Sequence, residues 1–188
     1  MTASKIADAT ATTPPSVEEA QLMIDASTSE NGTTYLFRAV SNSGMEGTAS
    51  SGVVVKIDRQ QPVVEVSGNT ADYLPSDTVT LTSYTGVSGI AKVTVSKDNG
   101  EAVDITESYQ NGYEVTENGI YTFILTNGAG ITDRDYITYE KLDGKTPVVV
   151  IDSNGYTDGA WTNQNVTLEV SNSTANLGDT EIEYKIDN

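Results

Sequence analysis

The sequence predicts an all-β protein made of antiparallel β-sandwich repeats, one complete and two partial. Three observations carry this expectation: a strand-forming palette, short alternating segments cut by turn residues, and a colinear internal recurrence. Apolar residues make up 37% of the 188-residue chain, Val is the most frequent of them, and there are ten Tyr against two Phe and one Trp. Thr, Ser, Asn and Gly fill much of the rest. β-branched and aromatic side chains suit a pleated, half-buried surface, and Gly, Asn and Ser suit the turns between strands.

The recurrence sets the domain plan. KIDRQQPVVEV at 56–66 returns as KLDGKTPVVVI at 141–151, so that Lys56, Asp58, Pro62, Val63 and Val64 reappear at Lys141, Asp143, Pro147, Val148 and Val149, an offset of 85. ENGTTYLF at 30–37 returns as ENGIYTF at 117–123, at an offset of 87 for the Glu and 86 for the Tyr. Val79-Thr80-Leu81 returns as Val166-Thr167-Leu168, and Gly89 with Asp98 as Gly178 with Asp187. Separate stretches repeating in one order at nearly one period mark a repeat of about 85 residues, the size of one small sandwich. Residues 1–16 then form an N-terminal segment, 17–61 the later part of a first repeat, 62–146 a complete second repeat, and 147–188 the early part of a third.

Within the complete repeat, strands are expected at Val63–Ser67, Thr78–Ser83, Ala91–Lys97, Tyr113–Thr116, Gly119–Asn127 and Ile131–Tyr139. Val79 and Leu81 share a face, as do Val93 and Val95, and Tyr121, Phe123 and Leu125. Gly68-Asn69, Pro75-Ser76-Asp77, Asp98-Asn99-Gly100, Asn111-Gly112, Asn118-Gly119 and Gly128-Ala129-Gly130 supply the turns. One local signal conflicts. Ser16-Val17-Glu18-Glu19 matches a helix capping box that could continue to Asp25, whereas the repeat places a strand near Gln21–Asp25. The strand is preferred, because tertiary context overrides weak local propensity.

Composition also excludes function classes. With 27 acidic against 10 basic residues the net charge is −17, a field that repels phosphate backbones and anionic membrane surfaces. Nucleic acid is therefore not an expected partner. Cys and His are absent, which removes thiol chemistry, disulfides, Cys/His zinc sites and Ser-His-Asp triads. No stretch approaches the ~20 apolar residues of a membrane span, so no membrane insertion is expected of this segment. Met1 to Ser16 lacks the apolar centre of a signal peptide, and the chain reads as a fragment of something longer.

The candidate sites each carry a plain reading beside a functional one. Asp58 and Asp143 in the linkers, and Asp133 with Asp135, offer hard oxygen ligands for calcium. The preferred reading is exposed carboxylates with no cofactor, since no segment matches an EF-hand loop. The remaining acids are read as solvated charge rather than a glycosidase pair. Lys56, Lys92, Lys97 and Lys141 could enter Lys–Asn isopeptide bonds, but no spacing selects one. Gly86-Val87-Ser88-Gly89 is a turn, because no helix follows to make a phosphate cradle. Asn31-Gly32-Thr33 and Asn165-Val166-Thr167 match glycosylation acceptors by coincidence. Trp161 could stack on a sugar, though packing over a sandwich end is preferred.

The stretch NGIYTF at 118–123 resembles the turn-and-strand signature of immunoglobulin-like folds. There a Tyr turns its hydroxyl back on the preceding turn, the tyrosine corner. By that resemblance Tyr121 is the corner residue, Phe123 takes the place of the antibody cysteine, and Tyr35 and Phe37 repeat the pair. Together with SGIAKVTVSKDNG (88–100), ENGIYTFILTNGAG (117–130), the linkers ending in Pro62 and Pro147, and DGAWTNQNVTLEV (158–170), the pattern is similar to bacterial immunoglobulin-like repeats of Gram-positive cell-surface proteins. Those relatives often read Asp-x-Ala-Gly-Asn where this chain has Asn127-Gly128-Ala129-Gly130-Ile131, or Ser41-Asn42-Ser43-Gly44 in the first copy. The resemblance implies a non-catalytic stalk, spacer or adhesive module, located extracellularly on the cell surface or wall. Its partners would be other repeats of the parent protein, with a host glycan or matrix protein as ligand. A carbohydrate-binding accessory module of a secreted enzyme is the alternative. The split repeats further suggest that Thr13–Gln61 packs with Pro147–Asn188 as a composite sandwich, within one chain or, as preferred, by self-association between copies.

Overall fold

A computed structural model describes residues 23–24, 28–178 and 180–186. The 1–16 segment lies outside the described residues. So does most of the Ser16–Asp25 stretch, of which Met23 and Ile24 are in neither helix nor strand. The described chain is all-β, with strands β1 (Thr33–Tyr35), β2 (Val53–Val55), β3 (Val63–Ser67), β4 (Asp77–Tyr84), β5 (Ile90–Lys97), β6 (Val103–Asp104), β7 (Tyr113–Val115), β8 (Gly119–Asn127), β9 (Thr132–Tyr139), β10 (Val149–Asp152) and β11 (Glu169–Asn172). Tyr109–Asn111 form a single 3-10 turn. The strands expected within residues 62–146 are found within one residue at each end. The two-residue β6 carries too few positions to show a period and was not expected.

Contacts group the chain into two compact units, Met1–Pro62 with Tyr84–Ala91 and Thr126–Thr132, and Val63–Ser83 with Lys92–Leu125 and Asp133–Asn188. In the second unit one sheet runs in the order β3-β4-β7 and another in the order β6-β5-β8-β9. The register pairs Asp77 with Val115 and Val79 with Tyr113 in the first sheet, and Thr94 with Asp104 and Val95 with Val103 in the second.

Side-chain alternation fixes which face of each strand is dry. Val64 and Val79 from the first sheet, and Val93, Val95, Tyr121, Phe123, Leu125 and Tyr139 from the second, are buried, joined by Val115 and Leu142. The sheets meet face to face, for Tyr113 of β7 packs edge-on against Phe123 of β8, with ring centroids 6.0 Å apart. Tyr121 stacks edge-on with Tyr139 at 6.1 Å. Each fully buried Val, Leu or Phe side chain contributes about 1.5–3 kcal/mol relative to exposure. A separate pair, β10 with β11, joins Val149 to Asn172 and Asp152 to Glu169. Its Val149, Val150 and Ile151 remain exposed.

In the first unit β1 pairs with β2, Thr33 opposite Val55 and Tyr35 opposite Val53. In this ribbon Val53 and Val54 are exposed, while Thr33, Tyr35 and Val55 are half-buried. The unit also holds a buried amide. Asn127 is 1% exposed, its Nδ2 donates to the Gln60 carbonyl at 3.2 Å, and its Oδ1 accepts the Ala129 and Ile131 N–H groups at 3.0 and 2.9 Å. Burial of an amide is tolerated because both its donor and its acceptor are matched.

One buried polar contact sets a size limit on the sandwich. The Tyr139 hydroxyl donates to Asp77 Oδ2, which also accepts the Asn69 N–H. Gly68 leaves the space for this contact, since a Cβ there would collide with the Tyr139 hydroxyl and lie 2.8 Å from Asp77 Oδ2. Gly68→Ala is expected to lower unfolding free energy by about 1–3 kcal/mol, as overpacking does. Urea denaturation measures it, and an unchanged midpoint would contradict the packing.

Candidate functional site

The residues singled out in the sequence do not converge on one pocket. Tyr121 is 5% exposed and donates its hydroxyl to the Glu117 carbonyl four residues earlier, at 2.8 Å. This is the corner bond expected of it, and Phe123 beside it is fully buried. Tyr35 and Phe37 do not reproduce that setting. Tyr35 is half-buried at the end of β1, and Phe37, two residues past that strand, is exposed. Pro62 is fully buried, whereas Pro147 is exposed. Trp161 is fully exposed rather than packed over a sandwich end.

The four candidate carboxylates all accept backbone N–H groups. Asp133 Oδ2 takes the Val64 N–H at 2.9 Å and Asp135 Oδ2 takes the Val66 N–H at 2.9 Å. The two acids stand two residues apart on β9, so their side chains share one face. They meet alternate amides of β3, which lies at the edge of its own sheet. An edge amide otherwise invites pairing with another chain.

Asp58 and Asp143 lie between strands, in the stretches expected to be linkers, and are held in parallel ways. Asp58 Oδ1 accepts the Gln60 N–H at 2.9 Å, and its Oδ2 accepts the Ser88 N–H at 2.9 Å and the Ser88 hydroxyl at 2.6 Å. Asp143 Oδ1 accepts the Lys145 N–H at 3.1 Å, and its Oδ2 accepts the Leu177 N–H at 2.6 Å. The Ser88 hydroxyl bond, followed by the Gln60 and Ser88 amides, holds the Asp58 carboxyl below its ordinary range. For Asp143 the Leu177 amide is the first cause of a shift in the same direction. Asp77 is raised by burial, but the Tyr139 hydroxyl and the Asn69 and Thr78 amides outweigh that and leave it lowered. Burial and then the Asp77 contact push the Tyr139 phenol up.

The possible isopeptide lysines are otherwise engaged where contacts are defined. Lys97 pairs with Glu117, Lys92 lies 3.7 Å from Asp104, and Lys141 donates to the Ala71 carbonyl and lies over the Tyr73 ring. Among the described residues no three His, Cys, Asp or Glu side chains are grouped to hold a metal ion, and no helix is long and apolar enough to cross a membrane. Open clefts flank both linkers, one lined by Thr28, Lys56, Asp58 and Ser88, the other by Glu114, Glu117, Asn118, Asp143 and Lys145.

Sequence reasoning missed Asn127, Asn118 and Thr28. Asn118 clasps the Leu142 backbone from both sides, its Nδ2 donating to the carbonyl at 3.0 Å and its Oδ1 accepting the N–H at 2.7 Å. Asn118 stands in a visible Asn-Gly turn, but its distant backbone partner leaves no mark in the sequence. In comparison with known proteins, the chain matches no family model, no curated protein and no solved structure.

A carboxyl whose folded-state pKa is depressed adds stability above its ordinary pKa, and that contribution is lost as pH falls through the lowered value. Carboxyl 13C titration of Asp58, Asp77 and Asp143 is therefore expected to give midpoints below the ordinary aspartate value of about 3.9. Midpoints at or above it would contradict the hydrogen bonds assigned to them.

Proposed function

We propose that this chain is a non-catalytic stalk or spacer segment of an extracellular bacterial surface protein, built from immunoglobulin-like repeats. The observation that carries the reading is a recurrence of hydrogen bonds at the period seen in the sequence. Asn127 and Ser41 lie 86 residues apart. Asn127 donates its N–H to the Ile131 carbonyl and accepts the Gly130 N–H, and Ser41 does the same with Met45 and Gly44. The side-chain oxygen of each also takes the N–H of the residue four further on, Ile131 at 2.9 Å and Met45 at 3.0 Å. The strand orders β3-β4-β7 and β6-β5-β8-β9, with the Tyr121 corner bond, favour an immunoglobulin-like arrangement of the central repeat. A spacer needs a stiff, soluble body and no deep polar pocket. The charge of −17 supplies solubility and mutual repulsion.

Trp161 favours a second reading. A fully exposed indole is a surface on which a sugar ring can stack, which would make the segment a carbohydrate-binding accessory module.

Force spectroscopy of the chain held by its ends tests the spacer directly. Unfolding of the 85-residue central repeat, 62–146, is expected to release roughly 270–300 Å of contour length in one step. A much shorter step would sink the domain plan. On a glycan panel the spacer reading expects no retention, and retention abolished by Trp161→Ala would replace it with the carbohydrate module.

A further inference from the structure

The two linkers share an arrangement beyond their Lys-x-Asp spelling. In each, the residue before the linker Asp is fastened backwards along the chain and the Asp itself is fastened forwards. Ile57 gives its carbonyl to the Thr28 N–H at 2.9 Å and its N–H to Thr28 Oγ1 at 2.7 Å. Its counterpart 85 residues on, Leu142, is clasped on both backbone groups by Asn118. The next residue turns the other way. Asp58 reaches Ser88, 30 positions ahead, and Asp143 reaches Leu177, 34 ahead. In both cases the accepted N–H belongs to the residue just before a left-handed glycine, Gly89 at φ 69° and Gly178 at φ 73°. The parallel continues one step on. The Gln60 carbonyl accepts from Asn127 Nδ2 at 3.2 Å, and the Lys145 carbonyl accepts from Asn176 Nδ2 at 2.6 Å.

From this geometry we infer that Ile57-Asp58 and Leu142-Asp143 are two-residue joint pins, each tying the end of one repeat back and the start of the linker forward, so that the linkers are rigid without a bound cation. The inference deepens the spacer reading and rests on it for its purpose, while the pins rest on their own bonds. Each linker carboxylate uses both oxygens on N–H or O–H donors. Those donors supply the positive partial charge that a calcium ion would bring to a linker carboxylate. A cation approaching Asp58 would meet oxygens already engaged by the Gln60 amide and by the Ser88 amide and hydroxyl. The Ser88 amide is half-buried, and leaving such a donor unmatched is costly, so donors and cation compete for the same carboxylate.

Two other features support stiffness. Both linker aspartates accept the N–H two residues on, which fixes the local backbone as an Asx-turn. Pro62 and Pro147 then follow four residues after each Asp, and proline restricts its own φ and the residue before it.

Amide hydrogen exchange on the full chain reads the pins residue by residue. The Ser88 and Leu177 amides are expected to be protected, in chelator and in millimolar calcium alike. Asp58→Ala should speed exchange at Ser88 by at least about tenfold, the scale of a lost hydrogen bond to a charged acceptor, and leave Leu177 unchanged. Asp143→Ala should do the reverse. The Phe123 amide serves as a reference for the intact fold. If Asp58→Ala also exposes Phe123, Asp58→Asn takes its place, keeping one oxygen acceptor and giving a smaller rise at Ser88 alone. Unprotected Ser88 and Leu177 in the unaltered chain, no response to the variants, or protection that appears only with calcium would overturn the pins. None of these outcomes depends on the length of the force-unfolding step or on glycan retention, so failure of the pins is distinguishable from failure of the spacer reading.

Discussion

Two sheets share a dry layer only where side chains from both fill it, and here that layer is anchored by the two rings that meet across it. Phe123 of β8 is fully buried, and the Tyr113 ring of β7 closes on it edge-first at 6.0 Å. Edge-to-face geometry places the positive rim of one ring against the negative face of the other. Around this contact the valines of β4 and β5 complete the core. The corner bond of Tyr121 and the Tyr139–Asp77 contact secure the polar tips that such large aromatics bring inside.

Acidic side chains recur as acceptors for the main chain. Asp58, Asp77, Asp133, Asp135 and Asp143 each accept at least one backbone N–H. A carboxylate accepts such bonds more strongly than a neutral oxygen does. In a chain of charge −17 this distributes negative charge over amide dipoles rather than over cationic partners, of which there are few. The defined ion pairs, such as Arg38 with Glu46 and Lys97 with Glu117, are exposed and contribute little by comparison.

The strands of residues 62–146 were legible because alternation survives in Val79-x-Leu81, Val93-x-Val95 and Tyr121-x-Phe123-x-Leu125, and turn residues bound each run. The linker aspartates were also legible as special positions, through their recurrence 85 residues apart. Their task was not. The sequence favoured plain exposed carboxylates over calcium ligands, and the structure engages their oxygens with amides of Ser88 and Leu177; a main-chain donor is common to every residue but proline and leaves no signature. Phe37 shows the opposite limit. Its motif matches that of Phe123, yet burial depends on what faces the strand, and no local pattern encodes the facing layer.

Ring-proton NOEs between Phe123 and Tyr113 test the cross-sheet layer most directly. With only two Phe in the chain, selective labelling makes the assignment unambiguous. Strong cross-peaks between the two rings are expected. Their absence, with Phe123 giving cross-peaks only to residues of β5, β8 and β9, would show that the sheets do not face each other.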